Sequence, residues 1–193
     1  MQTRCALVGM PGSGKSTIGR QLAHRLKVPF IDLDHRLEQV LGMSIRQFFD
    51  AEGEARFREI EAQELAHMAA QDGGMVLSTG GGAVLRDENR AVLRQFGNVV
   101  YLRASPEEIL KRVRHDKTRP LLQVANPLLK LRELYTQRDP LYRDCASYVL
   151  ETGRPTVTTL VNMISMQLDM AASADASAAP SEGMPQAEPG TAP

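Results

Sequence analysis

The stretch Gly9-Met10-Pro11-Gly12-Ser13-Gly14-Lys15-Ser16 decides the reading of this 193-residue chain. It fits the pattern G-x-x-x-x-G-K-[ST], a loop that wraps nucleotide phosphates. Its glycines let backbone N–H groups curl around phosphate oxygens without a Cβ in the way. A helix N-terminus directly after the loop adds its dipole to the attraction. The context agrees: the apolar run Cys5–Val8 precedes the loop, and an amphipathic pattern over Ser16–Leu26 follows, with Ile18, Leu22 and Leu26 on one face. Gly12, Ser13, Gly14, Lys15, Ser16 and Thr17 are therefore candidate ATP-binding residues. Within that set Lys15 would reach the β- and γ-phosphates, and Ser16 would ligate Mg²⁺.

Outward from this loop, short apolar runs alternate with helical periodicity, the pattern of a parallel sheet covered by helices. Candidate strands are Cys5–Val8, Phe30–Leu33, Met75–Thr79, Val99–Arg103 and Tyr148–Leu150. A long helix is expected over Glu52–Ala70, with Phe57, Ile60, Leu65 and Met68 inward. Ser105-Pro106 and Asn126-Pro127 each read as an N-cap followed by proline at the first helical position. The second of these helices is expected to end before Asp139-Pro140, and a last one to run from about Thr156 to Met170. The fold class is α/β: a three-layer α/β/α domain of the P-loop kinase type, with a five-stranded parallel sheet. Ligands in such sheets bind beyond the carboxyl ends of the strands, so the residues after each run carry the chemistry.

The second strand closes with Asp32-Leu33-Asp34, and on a strand residues i and i+2 face the same way. Two carboxylates left together there call for a cation or a hydroxyl. Asp34 is equally well read as the N-cap of a short helix over His35–Leu41. The third strand ends in Gly80-Gly81-Gly82, with no aspartate for a metal, which hands that task to Asp32 beside Ser16. Three glycines in a row can form a nest for an anion or a hydroxyl, or simply a turn.

Taken together, the P-loop, Asp32-x-Asp34 and Gly80-Gly81-Gly82 resemble the shikimate kinase family. Arg58 on the long helix, Thr118-Arg119-Pro120-Leu121 and Arg138-Asp139-Pro140-Leu141-Tyr142 agree with that family in order and spacing. The similarity spans residues 4 to about 168. It implies transfer of the γ-phosphoryl of ATP to the 3-hydroxyl of shikimate, with Mg²⁺ as cofactor. By the same resemblance, Arg58 and Arg138 grip the substrate carboxylate, and Asp34 with Gly80, Gly81 and Gly82 holds the ring hydroxyls. Asp34 is then the candidate base, with Lys15 and Arg119 as the other catalytic candidates; Arg119 lies on a mobile lid at about 112–125 and also touches ATP. Glu54 and Glu61 flank Arg58 at helical spacing and are placed to hold it, and the family places Glu61 beside this site. Thr152-Gly153-Arg154-Pro155 matches the family's adenine loop, with Arg154 stacked on the base. Phe48, Phe49 and Phe57 suit either a pocket wall or plain core packing, the latter for at least two of them.

Composition narrows the alternatives. The chain has 23 basic and 23 acidic residues. Residues 171–193 hold three acids and no base, leaving residues 1–170 with a net charge of +3. So mild an excess suits a cleft for a small anion and gives no nucleic-acid stripe. No run reaches the apolar length of a membrane span. Cys5 and Cys145 read as buried apolar residues in a reducing compartment, and the strand pattern begins too early for a leader peptide. The four histidines show no metal spacing. A cytoplasmic monomer is expected, acting on ATP and shikimate with no nucleic-acid or membrane partner. Residues 171–193, of which 17 are Ala, Pro, Ser or Gly, are expected to be a disordered tail. Two rivals remain: a gluconate or nucleoside monophosphate kinase, and an inactive nucleotide-binding regulator.

Overall fold

Alternation along a single strand splits the core in two. Arg4–Val8 forms β1, in which Cys5 and Leu7 face one side of the sheet while Ala6 and Val8 face the other, all four fully buried. The computed structural model describes residues 3–114 and 124–178. In chain order its other strands are β2 (Phe30–Asp32), β3 (Met75–Ser78), β4 (Asn98–Arg103) and β5 (Tyr148–Glu151). The helices are α1 (Lys15–Leu26), α2 (Leu33–Leu41), α3 (Ile45–Ala70), α4 (Asp87–Phe96), α5 (Pro106–Val113), α6 (Pro127–Cys145) and α7 (Val157–Ala178). A 3₁₀ turn at Ala83–Leu85 follows the triple glycine.

The sheet is parallel throughout, in the order β2-β3-β1-β4-β5. On one face α1 and α7 pack through Ile18, Leu22, Leu160, Ile164 and Leu168. On the other lie Leu33, Leu65, Leu93, Ile109 and Tyr142, one from each of α2 to α6. This is the three-layer α/β/α arrangement expected. Because every strand runs the same way, the ends of β1, β2 and β3 open on one rim, where the phosphate loop, the aspartates and the triple glycine meet.

Four boundaries differ from expectation, each for a physical reason. β2 stops at Asp32, which is the N-cap of α2: its Oδ1 accepts from the Asp34 N–H at 3.2 Å. Asp34 is therefore neither strand nor cap but sits in the first turn of α2. The long helix starts at Ile45, where Ser44 and Gln47 form a capping box, and bends at Gly53 (φ 81°), just after the start expected at Glu52. α6 runs through Pro140 to Cys145. The missing N–H there costs about 3 kcal/mol. Burial of Tyr142 and Cys145 on the following turn outweighs it. α7 continues to Ala178, so residues 171–178 are helical where a disordered tail was expected; the rest of that tail lies outside the described residues. The Ser105-Pro106 and Asn126-Pro127 helix starts are found as read.

Candidate active site

The rim opens into a cleft of about 700 Å³ lined by Gly12, Gly14, Lys15, Ser16, Thr17, Asp32, Asp34 and Gly81. Gly14 takes a left-handed conformation (φ 100°) as the N-cap of α1, the turn that lets the loop feed directly into the helix. Lys15 is buried, and its Nζ donates to the carbonyls of Gly9 (2.8 Å) and Met10 (3.0 Å), folding the loop back on itself. Ser16 Oγ donates to Asp32 Oδ2 at 2.6 Å, joining the start of α1 to the end of β2. These two hard oxygen donors sit at one point beside the phosphate loop, a donor set suited to Mg²⁺. Among the described residues no cluster of three or more His, Cys, Asp or Glu could cage a metal.

A second set of groups converges next to Asp34. Arg58 projects from α3 and is held from both sides: Nη1 donates to Glu61 Oε2 at 2.7 Å, and Nη2 to Glu54 Oε1 at 2.9 Å. The rings of Phe49 and Phe57 lie 5.9 and 5.3 Å from its guanidinium carbon. Phe48 and Phe57 are core residues, as the packing reading expects, with Phe49 partly buried against them. Glu61 is fully buried, and its Oε1 has no hydrogen-bond partner. Burial pushes the Glu61 carboxyl above its ordinary value of 4.5, outweighing the pull of Arg58. Asp34 opens onto the cleft but has protein on most sides. Loss of hydration raises its carboxyl above 3.8, with the Lys15 and Arg58 charges acting the other way.

The triple glycine closes the floor of this site, and its small size is a matter of space. A Cβ on Gly80 would stand 2.6 Å from Asp34 Oδ1 and 3.0 Å from Glu61 Oε1, and one on Gly82 would strike the Arg58 guanidinium. Across the loop, Arg138 Nη1 donates to the Gly81 carbonyl at 3.1 Å, and its buried Nε is unpaired. Arg58, Arg138 and Asp34, far apart in sequence, thus each lie against the Gly80–Gly82 backbone.

A smaller cavity of about 340 Å³ lies behind the phosphate loop, lined by Ser13, Gly14, Thr17, Arg112, Thr152, Gly153 and Pro155. Arg154 is exposed, and it is Gly153 and Pro155 on either side that form the wall. Arg112, absent from the sequence reading, bridges this cavity: it donates to Ser13 O at 3.1 Å, to Thr152 Oγ1 at 3.0 Å, and to the Thr152 carbonyl. Nothing in the local pattern of α5 separates Arg112 from Lys111; only the fold turns it toward the loop. Arg119 lies outside the described residues, with most of the lid segment.

The shikimate kinase family model matches residues 11–169. The chain belongs to the shikimate kinase family. It is 56% identical over 167 residues to the shikimate kinase of Paracidovorax citrulli, covering 86% of this chain and 91% of that one. To the Ralstonia nicotianae shikimate kinase it is 52% identical, covering 85% and 86%. Among solved structures, the Acinetobacter baumannii shikimate kinase in complex with shikimate superposes with a TM-score of 0.82 at 43% identity, over 89% of this chain and 95% of that one. A gluconokinase from Sinorhizobium meliloti reaches a TM-score of 0.59 at 16% identity, a likeness of fold alone. This member of the shikimate kinase family is thus an enzyme of the P-loop kinase type. Among the described residues no helix is long and apolar enough to cross a membrane.

Proposed function

We propose that this enzyme transfers the γ-phosphoryl group of ATP to the 3-hydroxyl of shikimate, and that Arg58 and Arg138 bind the substrate carboxylate. The observation that carries the reading is the pocket itself. Arg58 and Arg138 stand over the Gly80–Gly82 backbone with Asp34 beside them, next to a phosphate loop whose lysine is buried and in place. A small ring bearing one carboxylate and several hydroxyls fits a site with charge-assisted donors at one end and a carboxylate at the other. Family membership supports the same substrate.

In this reading the N–H groups of Gly12 to Thr17 and the Lys15 ammonium hold the phosphates. Lys15 exchanges its loop carbonyls for phosphate oxygens on binding. Ser16 and Asp32 would hold Mg²⁺, which would supply positive charge to offset that of the phosphates. Asp34 orients the attacking hydroxyl and accepts its proton; its raised pKa makes it a better acceptor than an ordinary aspartate. Phosphoryl transfer passes through a loose transition state, so this positioning is the larger share of the work. Arg112 and Pro155 flank the cavity that would take the adenine, with Arg154 exposed on the same loop and free to stack on the base. Arg119 supplies positive charge to the phosphates from the lid. The enzyme acts as a cytoplasmic monomer on these two small molecules.

The test is ADP release from Mg-ATP with shikimate, gluconate and nucleoside monophosphates in parallel. Turnover with shikimate alone is expected. Turnover with another acceptor only would overturn the roles of Arg58 and Arg138, and ATP binding without any turnover would overturn the enzyme reading.

A further inference from the structure

One buried hydroxyl is aimed at the acceptor site without lining it. Tyr142, on the turn of α6 that follows Pro140, is fully buried, and its hydroxyl donates to the Gly81 carbonyl at 2.6 Å. The same carbonyl accepts from Arg138 Nη1 at 3.1 Å, so two donors from α6 converge on one oxygen. The ring of Tyr142 is itself fixed against Tyr101 of β4, with centroids 4.9 Å apart, and the Tyr101 hydroxyl donates to Asp139 Oδ1 at 2.8 Å. Sheet, helix and glycine loop are thereby locked in a single chain of contacts.

The consequence follows from peptide geometry. In a trans peptide the C=O of one residue and the N–H of the next point in opposite directions, and the described chain has no cis bonds. A Gly81 carbonyl held on α6 therefore turns the Gly82 N–H away from α6. Gly82 lies under the Arg58 guanidinium, where an added Cβ would collide with it. Glycine peptides flip easily because no side chain opposes the rotation, so the orientation must be imposed from outside.

Resting on the proposed acceptor site, we propose that Tyr142 is a positioning residue. Its buried hydroxyl pins the Gly81–Gly82 peptide so that the Gly82 N–H faces the acceptor beneath Arg58. Burial raises the phenol well above its ordinary pKa, so it remains a donor at any working pH.

The test is Tyr142→Phe, which keeps the ring and its stacking on Tyr101. KM for shikimate is expected to rise about five- to tenfold, the loss of one buried hydrogen bond, while KM for ATP stays within about twofold. Tyr101→Phe, which removes a hydroxyl bonded to Asp139 rather than to the glycine loop, should leave the shikimate KM within about twofold of the parent. In the unsubstituted enzyme, the Gly82 amide resonance should move on titration with shikimate. Three results would each overturn the proposal while leaving the substrate assignment intact: an unchanged shikimate KM in Tyr142→Phe, a parallel loss of ATP and shikimate binding with a lowered melting midpoint, or a Gly82 amide indifferent to shikimate. Failure of the unsubstituted enzyme to use shikimate would instead bring down the substrate reading, and the positioning role with it.

Discussion

Arg58 Nη1 and Glu61 Oε2 meet at 2.7 Å with the glutamate almost wholly sealed from solvent, so the carboxylate that steadies the binding arginine is itself a strained charge. Its carboxyl sits above the ordinary 4.5 because burial outweighs the arginine's attraction. The folded state therefore keeps this proton to a higher pH than the unfolded chain does. Stability should fall as pH rises from 4.5 through the folded-state value and then level off. Glu61→Gln cannot ionise and should show a shallower fall; Asp34 is shifted the same way, so some slope remains. Urea midpoints for both proteins across about pH 4 to 8 provide the check, and parallel curves would contradict it.

The two arginines should fail differently. Each truncation should weaken shikimate binding by about 2–5 kcal/mol, because a buried carboxylate loses a partner. Arg58→Ala also abandons Glu61 in the interior. Leaving one member of a buried pair costs about 3–5 kcal/mol of stability, and protonation of Glu61 draws the figure toward the lower end. Arg138→Ala leaves the Gly81 carbonyl in the hands of Tyr142 and should be nearly silent in melting. Calorimetric titration with shikimate and thermal unfolding separate the cases; an unchanged shikimate affinity would remove that arginine from the site.

Gly82 has φ −101°, a conformation open to any residue, so Gly82→Ala tests space rather than backbone strain. The new methyl group would meet the Arg58 guanidinium, which must then leave its place between Glu54 and Glu61. A shikimate KM at least about tenfold higher, with ATP binding preserved, is expected from displacing one charged contact. Equal effects on both substrates would mean that the damage spreads to the phosphate loop.

Lys15→Ala removes the cation that bonds the Gly9 and Met10 carbonyls and that is poised for the phosphates. Turnover should drop by about 10²–10³-fold or more, the scale for deleting one transition-state donor. The far-UV spectrum should not change, since the loop is fixed by strand and helix on either side. Wild-type-like kcat would refute the phosphate-loop role.

The legible parts of this protein were those in which local sequence and tertiary structure agree. The phosphate loop could be read directly because strand, glycine turn and helix dipole all act within Cys5–Leu26. The proline-led helix starts were equally plain. What stayed hidden depended on packing between distant segments. Pro140 is a breaker by local rules, yet α6 passes through it because Tyr142 and Cys145 beyond are buried. The roles of Asp32 and Asp34 turned on where β2 ends, one residue earlier than its apolar pattern suggests. Arg58 and Arg138 look like surface charges along their own helices, and the family resemblance was needed to pair them. Arg112 carries no signal of its own, and Tyr142 stands in a quoted motif without its role being readable there; the partners that define them lie 99 and 61 residues away.

The final turns of α7 give a last expectation. The helix is anchored through Leu160, Val161, Ile164 and Leu168 against α1 and the sheet. Past that point Met170 is exposed, Ala172 to Ala174 are exposed, and Ser173 Oγ donates to the Asp169 carbonyl on its own helix. The buried residues that anchor α7 all lie before residue 171, so removing residues 171–193 leaves that anchor in place. The melting midpoint of the truncated enzyme should stay within about 2 °C of the parent, under 1 kcal/mol for a domain of this size. Kinetic constants for both substrates should be unaltered. A larger drop in melting would show that the segment docks on the body of the enzyme, and a change in kinetics alone would place it near the lid.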